Sequence, residues 1–133
     1  MPTNGTSGGE RFPRRFRIRR RRDFQHVFQH GRRISSPEFR LAFCPNDLGH
    51  PRLGLAVSRA VGNAVRRNRV KRRIREVFRR HQDQLPDSMD LVVMPNRGVA
   101  SLPFEVFREA LLGLLGRAQN RPASPAREKE RTE

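Results

Sequence analysis

Cysteine is nearly absent. The 133 residues include one, Cys44, which excludes an internal disulfide framework and a cysteine-rich zinc site. No uninterrupted apolar stretch approaches the ~20 residues of a membrane span, so no membrane-embedded role is expected. The N-terminus, Met1-Pro2-Thr3-Asn4-Gly5, runs into arginines without the apolar segment of a secretion signal, and a reducing cytoplasm fits. Acid is scarce too, with 13 Asp and Glu against 29 Lys and Arg, a formal charge of +16. Lysine is scarcer still: apart from Lys71 and Lys129, every basic residue is arginine. Apolar residues make up 35 %. Counting glycine raises this to roughly 43 %, enough for one modest core and too little for two.

What is present is positive charge. That much uncompensated charge on a small chain opposes compaction unless a polyanion neutralises it. Nucleic acid is the expected partner, and an anionic membrane surface the alternative. Arginine's planar fork suits two-pronged phosphate contact and stacking on bases.

Residues 1–15 hold Gly, Ser, Thr, Pro and Arg and read as a disordered basic arm. Residues 118–133, with two prolines and alternating charges, read as a disordered tail. The domain is then 16–117. Within it, Phe24, Val27 and Phe28 predict a helix over 22–30, closed by Gly31 as a C-terminal stop. Alternation predicts a half-buried strand over 38–44, with Phe39, Leu41 and Phe43 on one face. Asn46-Asp47-Leu48-Gly49 is turn chemistry and predicts a hairpin into a strand over 52–58. The second face of that strand is small (Gly54, Ala56, Ser58), which leaves room for something to lie on it.

A long basic helix is predicted over 63–84, its apolar stripe formed by Val70, Ile74, Val77, Phe78 and His81. A strand over 89–94 ends at Pro95. A last helix spans 102–116, with Pro103 in its first turn and a stripe of Phe104, Phe107, Leu111, Leu114 and Leu115. The order of elements points to an α+β domain with helices covering a small sheet.

The basic helix carries the functional signal. Nine of its fifteen residues from Arg66 to Arg80 are basic, and Glu76 is the one acid. Asn68, Lys71, Arg72, Arg75 and Arg79 share a face opposite the apolar stripe, flanked by Arg66, Arg69, Arg73 and Arg80. A solvated helix face normally carries acids at i,i+4; this one lacks them, so the charge makes sense against phosphates. His26 and His30 stand i,i+4 but lack a third ligand, and the scattered carboxylates show no two-metal or Ser-His-Asp pattern.

Residues 52–76, and above all Arg67-Asn68-Arg69-Val70-Lys71-Arg72 followed by Arg75, closely resemble the signature of the bacterial ribonuclease P protein subunit. Asp23-Phe24-Gln25-His26-Val27-Phe28 resembles that family's first helix, and Asp90-Leu91-Val92-Val93 its last strand. The resemblance implies a single α-β-β-β-α-β-α domain, like domain 2 of ribosomal protein S5, with a left-handed βαβ crossover. It implies a non-catalytic subunit, with no catalytic residues or metal ligands of its own. Its partner is a catalytic RNA that uses magnesium to remove the 5′ leader from precursor tRNA in the bacterial cytoplasm.

Carried over by position, Arg59, Arg66, Arg67, Asn68, Arg69, Lys71, Arg72, Arg73 and Arg75 are expected to meet RNA. Phe24, Phe28, Arg40 and Ala42 are expected to line a cleft for the leader, between the first helix and the sheet. Ala60 stands where that family often has a second basic residue after the serine, and Pro95-Asn96-Arg97 replaces a commoner small-then-basic run after the last strand. Two other readings stay open on the residues alone: a general RNA-binding protein of ribosomal type, and a protein-only nuclease.

Overall fold

A computed structural model describes residues 14–82, 85 and 87–119. Residues 1–13 of the expected arm and 120–133 of the expected tail lie outside these. In chain order the elements are α1 (Arg21–His30), β1 (Arg32–Ser35), β2 (Phe39–Pro45), β3 (Arg52–Leu55), α2 (Ala64–Arg80), β4 (Met89–Pro95) and α3 (Phe104–Gln119). Short 3-10 turns lie at Arg14–Phe16, Arg59–Val61 and Val99–Ser101. This is the α-β-β-β-α-β-α order expected of the resemblance.

The four strands form one sheet in the order β1-β2-β4-β3. β1 and β4 both pair antiparallel with β2, while β3 runs parallel to β4. The hairpin expected at 46–49 is therefore wrong: β4 is inserted between β2 and β3. The turn chemistry is real but serves a different purpose. Asn46 Oδ1 accepts from Leu48 N at 3.0 Å, and Asn46 N and Gly49 N donate to Ser88 O and Ser88 Oγ. The loop is thus pinned to the start of β4 instead of folding back onto β2. Because β3 and β4 are parallel, the chain must cross over between them, and α2 is that crossover.

Two apolar layers flank the sheet. Phe39, Leu41, Phe43, Leu53, Leu91 and Val93 face α2 and α3, meeting Val70, Ile74, Phe78, Phe107, Leu111 and Leu115. Phe39 meets Phe107 edge to face at 5.2 Å between ring centroids. On the other face Ala42, Cys44 and Val92 lie under Val27 of α1, with Phe24 and Phe28 beside it. β2 is consequently covered on both faces along most of its length, not half-buried as its alternation suggested.

Gly31 does stop α1, and it does so in extended backbone (φ −90°, ψ 177°). Its requirement is space: an added Cβ would stand 2.5 Å from both Phe43 O and Val27 O. α2 ends at Arg80, short of the expected 84, where His81 N donates to Val77 O and Phe78 O. α3 begins at Phe104, with Pro103 O accepting from Phe107 N, and runs on to Gln119 with Ala118 buried.

Candidate nucleic-acid interface

The basic stretch 52–76 is built around its own caps. Ser58 Oγ accepts from Ala60 N and begins the Arg59–Val61 turn. Asn63 Oδ1 accepts from Arg66 N at 2.9 Å and starts α2. Val70, Ile74, Val77 and Phe78 then bury one side of α2 against the sheet. The rotation this imposes leaves Arg66, Asn68, Arg69 and Arg72 exposed, and Arg67, Lys71, Arg73 and Arg75 partly so. Arg59 is exposed one turn upstream.

These cations differ in what holds them. Glu76 receives Arg79 at 2.7 Å and also Arg80, so those two are tied within the helix. Burial alone would raise the Glu76 carboxyl; the two guanidinium partners outweigh it and hold it below the ordinary value. Arg73 is committed inward: one guanidinium nitrogen donates to Leu102 O at 2.9 Å, and its Cζ lies 5.8 and 5.6 Å from the Phe104 and Phe107 centroids. Its expected place on the RNA face is thus shared with a structural one. Among the described residues no acid pairs with Arg66, Arg69, Lys71 or Arg72.

Lys71 and Arg75 turn into a groove of about 160 Å³ at the β3 edge of the sheet, lined also by Arg17, Arg19, Phe24 and Leu55. Burial, and then repulsion from Arg17, pull the Arg75 guanidinium below its ordinary value. Arg17 Nε is buried without a hydrogen-bond partner. Four cations with no acid among the lining residues make this groove a place for an anion.

The sequence pattern does not single out Arg17 and Arg19 as site residues. Ile18 N donates to Leu53 O at 2.9 Å, and Arg17 bridges Leu53, so the segment lies along β3 as an added edge. Buried Ile18 between two cations, Arg17-Ile18-Arg19, was the available signal.

The expected leader residues do not share one spot. α1 crosses the sheet. Phe24 rests over Gly54 of β3, where an added Cβ would stand 2.8 Å from the ring. It is this ring, with Ile18, that occupies the small face predicted for β3. Phe28 lies toward the opposite edge, with Arg33 of β1 over its ring at 5.4 Å and donating to Phe28 O. Both rings are half-buried. Arg40 is exposed on the same face, in register with Met94 and Ser35. Ala42 is a correction: it faces α1 as expected but is fully buried beneath that helix, leaving no surface for a ligand.

His26 and His30 lie ring to ring, 4.7 Å between centroids. Among the described residues no group of three or more His, Cys, Asp or Glu side chains could hold a metal ion, and no helix is long and apolar enough to cross a membrane.

Fold and surface together define a class: small basic α+β proteins whose parallel β–helix–β unit carries a cationic helix across a four-stranded sheet. The family profile of ribonuclease P matches residues 12–119. The ribonuclease P protein component of Photorhabdus laumondii is 46 % identical over 101 residues, 75 % of this chain and 84 % of the relative. The solved structure of the RNase P protein from Thermotoga maritima superposes with a TM-score of 0.72 at 39 % identity, covering 76 % of this chain and 96 % of that one. A Staphylococcus aureus RNase P protein, a mutant with defective mRNA degradation activity, gives 0.75 at 31 % identity over 79 % of this chain and 89 % of its own. The chain belongs to the ribonuclease P protein component family.

Proposed function

We propose that this chain binds the RNA subunit of ribonuclease P and presents precursor tRNA to it, the RNA carrying out the cleavage. The observation that carries the reading is the cationic side of α2, where Arg66, Arg69, Lys71 and Arg72 have no acidic partner among the described residues, and where Lys71 and Arg75 share a groove with the half-exposed ring of Phe24. In the reaction, water adds across the phosphodiester at the tRNA 5′ end. The leader departs with a 3′ hydroxyl and the tRNA keeps its 5′ phosphate. Magnesium, held mainly by the RNA, supplies charge neutralisation at the reacting phosphate. The residues of this chain bind and position: Arg59, Arg66, Arg67, Asn68, Arg69 and Arg72 meet backbone phosphates and sugars, and offset the repulsion between two polyanions.

The leader lies on the α1 face, where Phe24 and Phe28 offer rings to bases of any identity and Arg40 offers charge. Bacterial cytoplasm is the compartment of this reaction. The test is reconstitution with a ribonuclease P RNA at low magnesium. Adding the chain is expected to stimulate leader removal, and digesting the RNA beforehand to abolish it. Cleavage of precursor tRNA by the RNA-free chain overturns the reading in favour of a protein nuclease. RNA binding without stimulation overturns it in favour of a general RNA-binding protein.

A further inference from the structure

A second hollow lies on the opposite face of the sheet from α1, between α2 and the start of α3. It is an open hollow of about 350 Å³, lined by Arg69, Arg72, Arg73, Glu76 and Phe104. Phe104 is half-buried, stacked nearly parallel on fully buried Phe107 at 6.3 Å and 17°. Arg73 is anchored to Leu102 O beside both rings, so the aromatic wall is held in place from two sides. Arg69 and Arg72 stand exposed without an acidic partner among the described residues. Glu76 is already neutralised by Arg79 and Arg80. The hollow therefore combines a fixed aromatic wall with two free guanidinium groups.

We propose that this hollow takes one unpaired nucleotide of the RNA subunit, its base against Phe104 and its flanking phosphates on Arg69 and Arg72. The assignment rests on the proposed partnership with that RNA. A flat π-faced group beside phosphates matches a fixed ring beside free guanidiniums, which an acidic peptide would not need. The four-stranded sheet separates this site from the α1 face proposed for the leader, so a partner that reaches both must be large and folded, as the RNA subunit is.

The chain has no tryptophan, so Phe104→Trp gives a single indole reporter. Its emission is expected to be quenched on saturation with the RNA subunit, and to stay unchanged with precursor tRNA alone or with polyglutamate. Phe104→Tyr is expected to bind the RNA subunit as the parent chain does, and Phe104→Leu about tenfold more weakly, the loss of one base stack. Unchanged indole emission from the Phe104→Trp chain, in a holoenzyme whose assembly is verified by gel shift, overturns this site while leaving the proposed function standing. So does equal affinity of the Phe104→Leu and parent chains, or quenching by polyglutamate. Failure of the parent chain to bind the RNA subunit removes both.

Discussion

Arg52 and Asp90 face each other across the parallel β3–β4 pair and close a two-pronged ion pair, 2.9 Å from Nε and 2.7 Å from a terminal nitrogen. Asn46 donates to the same carboxylate at 2.7 Å, and Asp23 of α1 reaches Arg52 at 3.6 Å. One buried carboxylate thus ties together the 46–49 loop and the β3–β4 pair, and Arg52 links them to α1. The Asp90 hydrogen bond is the main reason the Arg52 guanidinium is held above its ordinary value. Arg52 opens the family-like stretch, yet its charge is satisfied inside the fold.

Replacing Asp90 by Asn keeps the shape but leaves the Arg52 charge largely without its partner. Stability is expected to fall by about 3 kcal/mol, as for other broken buried pairs, measured by urea unfolding. Asp23→Asn, which loses only the longer, partly exposed contact, is expected to cost less than about 1 kcal/mol. Equal losses would show that the α1 contact matters as much as the buried pair.

The cations of α2 are expected to separate into two groups. Arg69→Ala and Arg72→Ala should each lower the slope of log affinity for RNA against log salt by about one unit, with little change in melting temperature. Arg73→Ala should lower the melting temperature, because it releases Leu102 O and the Phe104–Phe107 rings. Titrating RNA binding from low to high salt, alongside thermal melts, tests this. A salt slope that falls with Arg73 alone would reverse the assignment.

Local pattern made much of the fold legible. Helical spacing found α1, α2 and α3 to within a few residues, because each buries one stripe. The 67–75 stretch exposed the cationic side, because Val70, Ile74, Val77 and Phe78 dictate which way that side turns. Pairing was another matter. Nothing in residues 39–55 announces that β4, more than thirty residues later, will slip between β2 and β3. β1 is a four-residue strand, Arg-Arg-Ile-Ser, whose only internal apolar residue is Ile34. No periodicity can be read from one residue. Ala42 was misplaced for a related reason: alternation gives the face of a residue but not what covers that face.

Glu76 gives a pH signature. Its carboxyl is held below the ordinary 4.5 in the folded chain. Its contribution is therefore complete above that value and is lost as falling pH protonates it through the folded value. The side chain is 32 % exposed, so the contribution is under about 1 kcal/mol. Glu76→Gln is expected to be slightly less stable than the parent at pH 7, with the difference shrinking as the pH falls below 4.5. A difference that persists in acid would mean that the glutamine disturbs packing.

Phe24 and Phe28 lie toward opposite edges of the sheet, so their substitutions should differ. Phe28→Ala should weaken binding of leader-bearing precursor by the value of one base stack, about 1–3 kcal/mol, while mature tRNA is unaffected. Gly54→Ala leaves both rings in the chain but puts a methyl 2.8 Å from Phe24. The ring must then lift from β3, where it walls the groove of Arg17, Lys71 and Arg75. If that groove holds the leader, Gly54→Ala lowers precursor affinity without removing any contact group, and Phe24→Ala in the same background adds little further. Both are checked by comparing holoenzyme affinities for precursors with and without a leader. Additive losses would show that Gly54 and Phe24 act independently, and that the close approach of ring to strand has no part in holding the substrate.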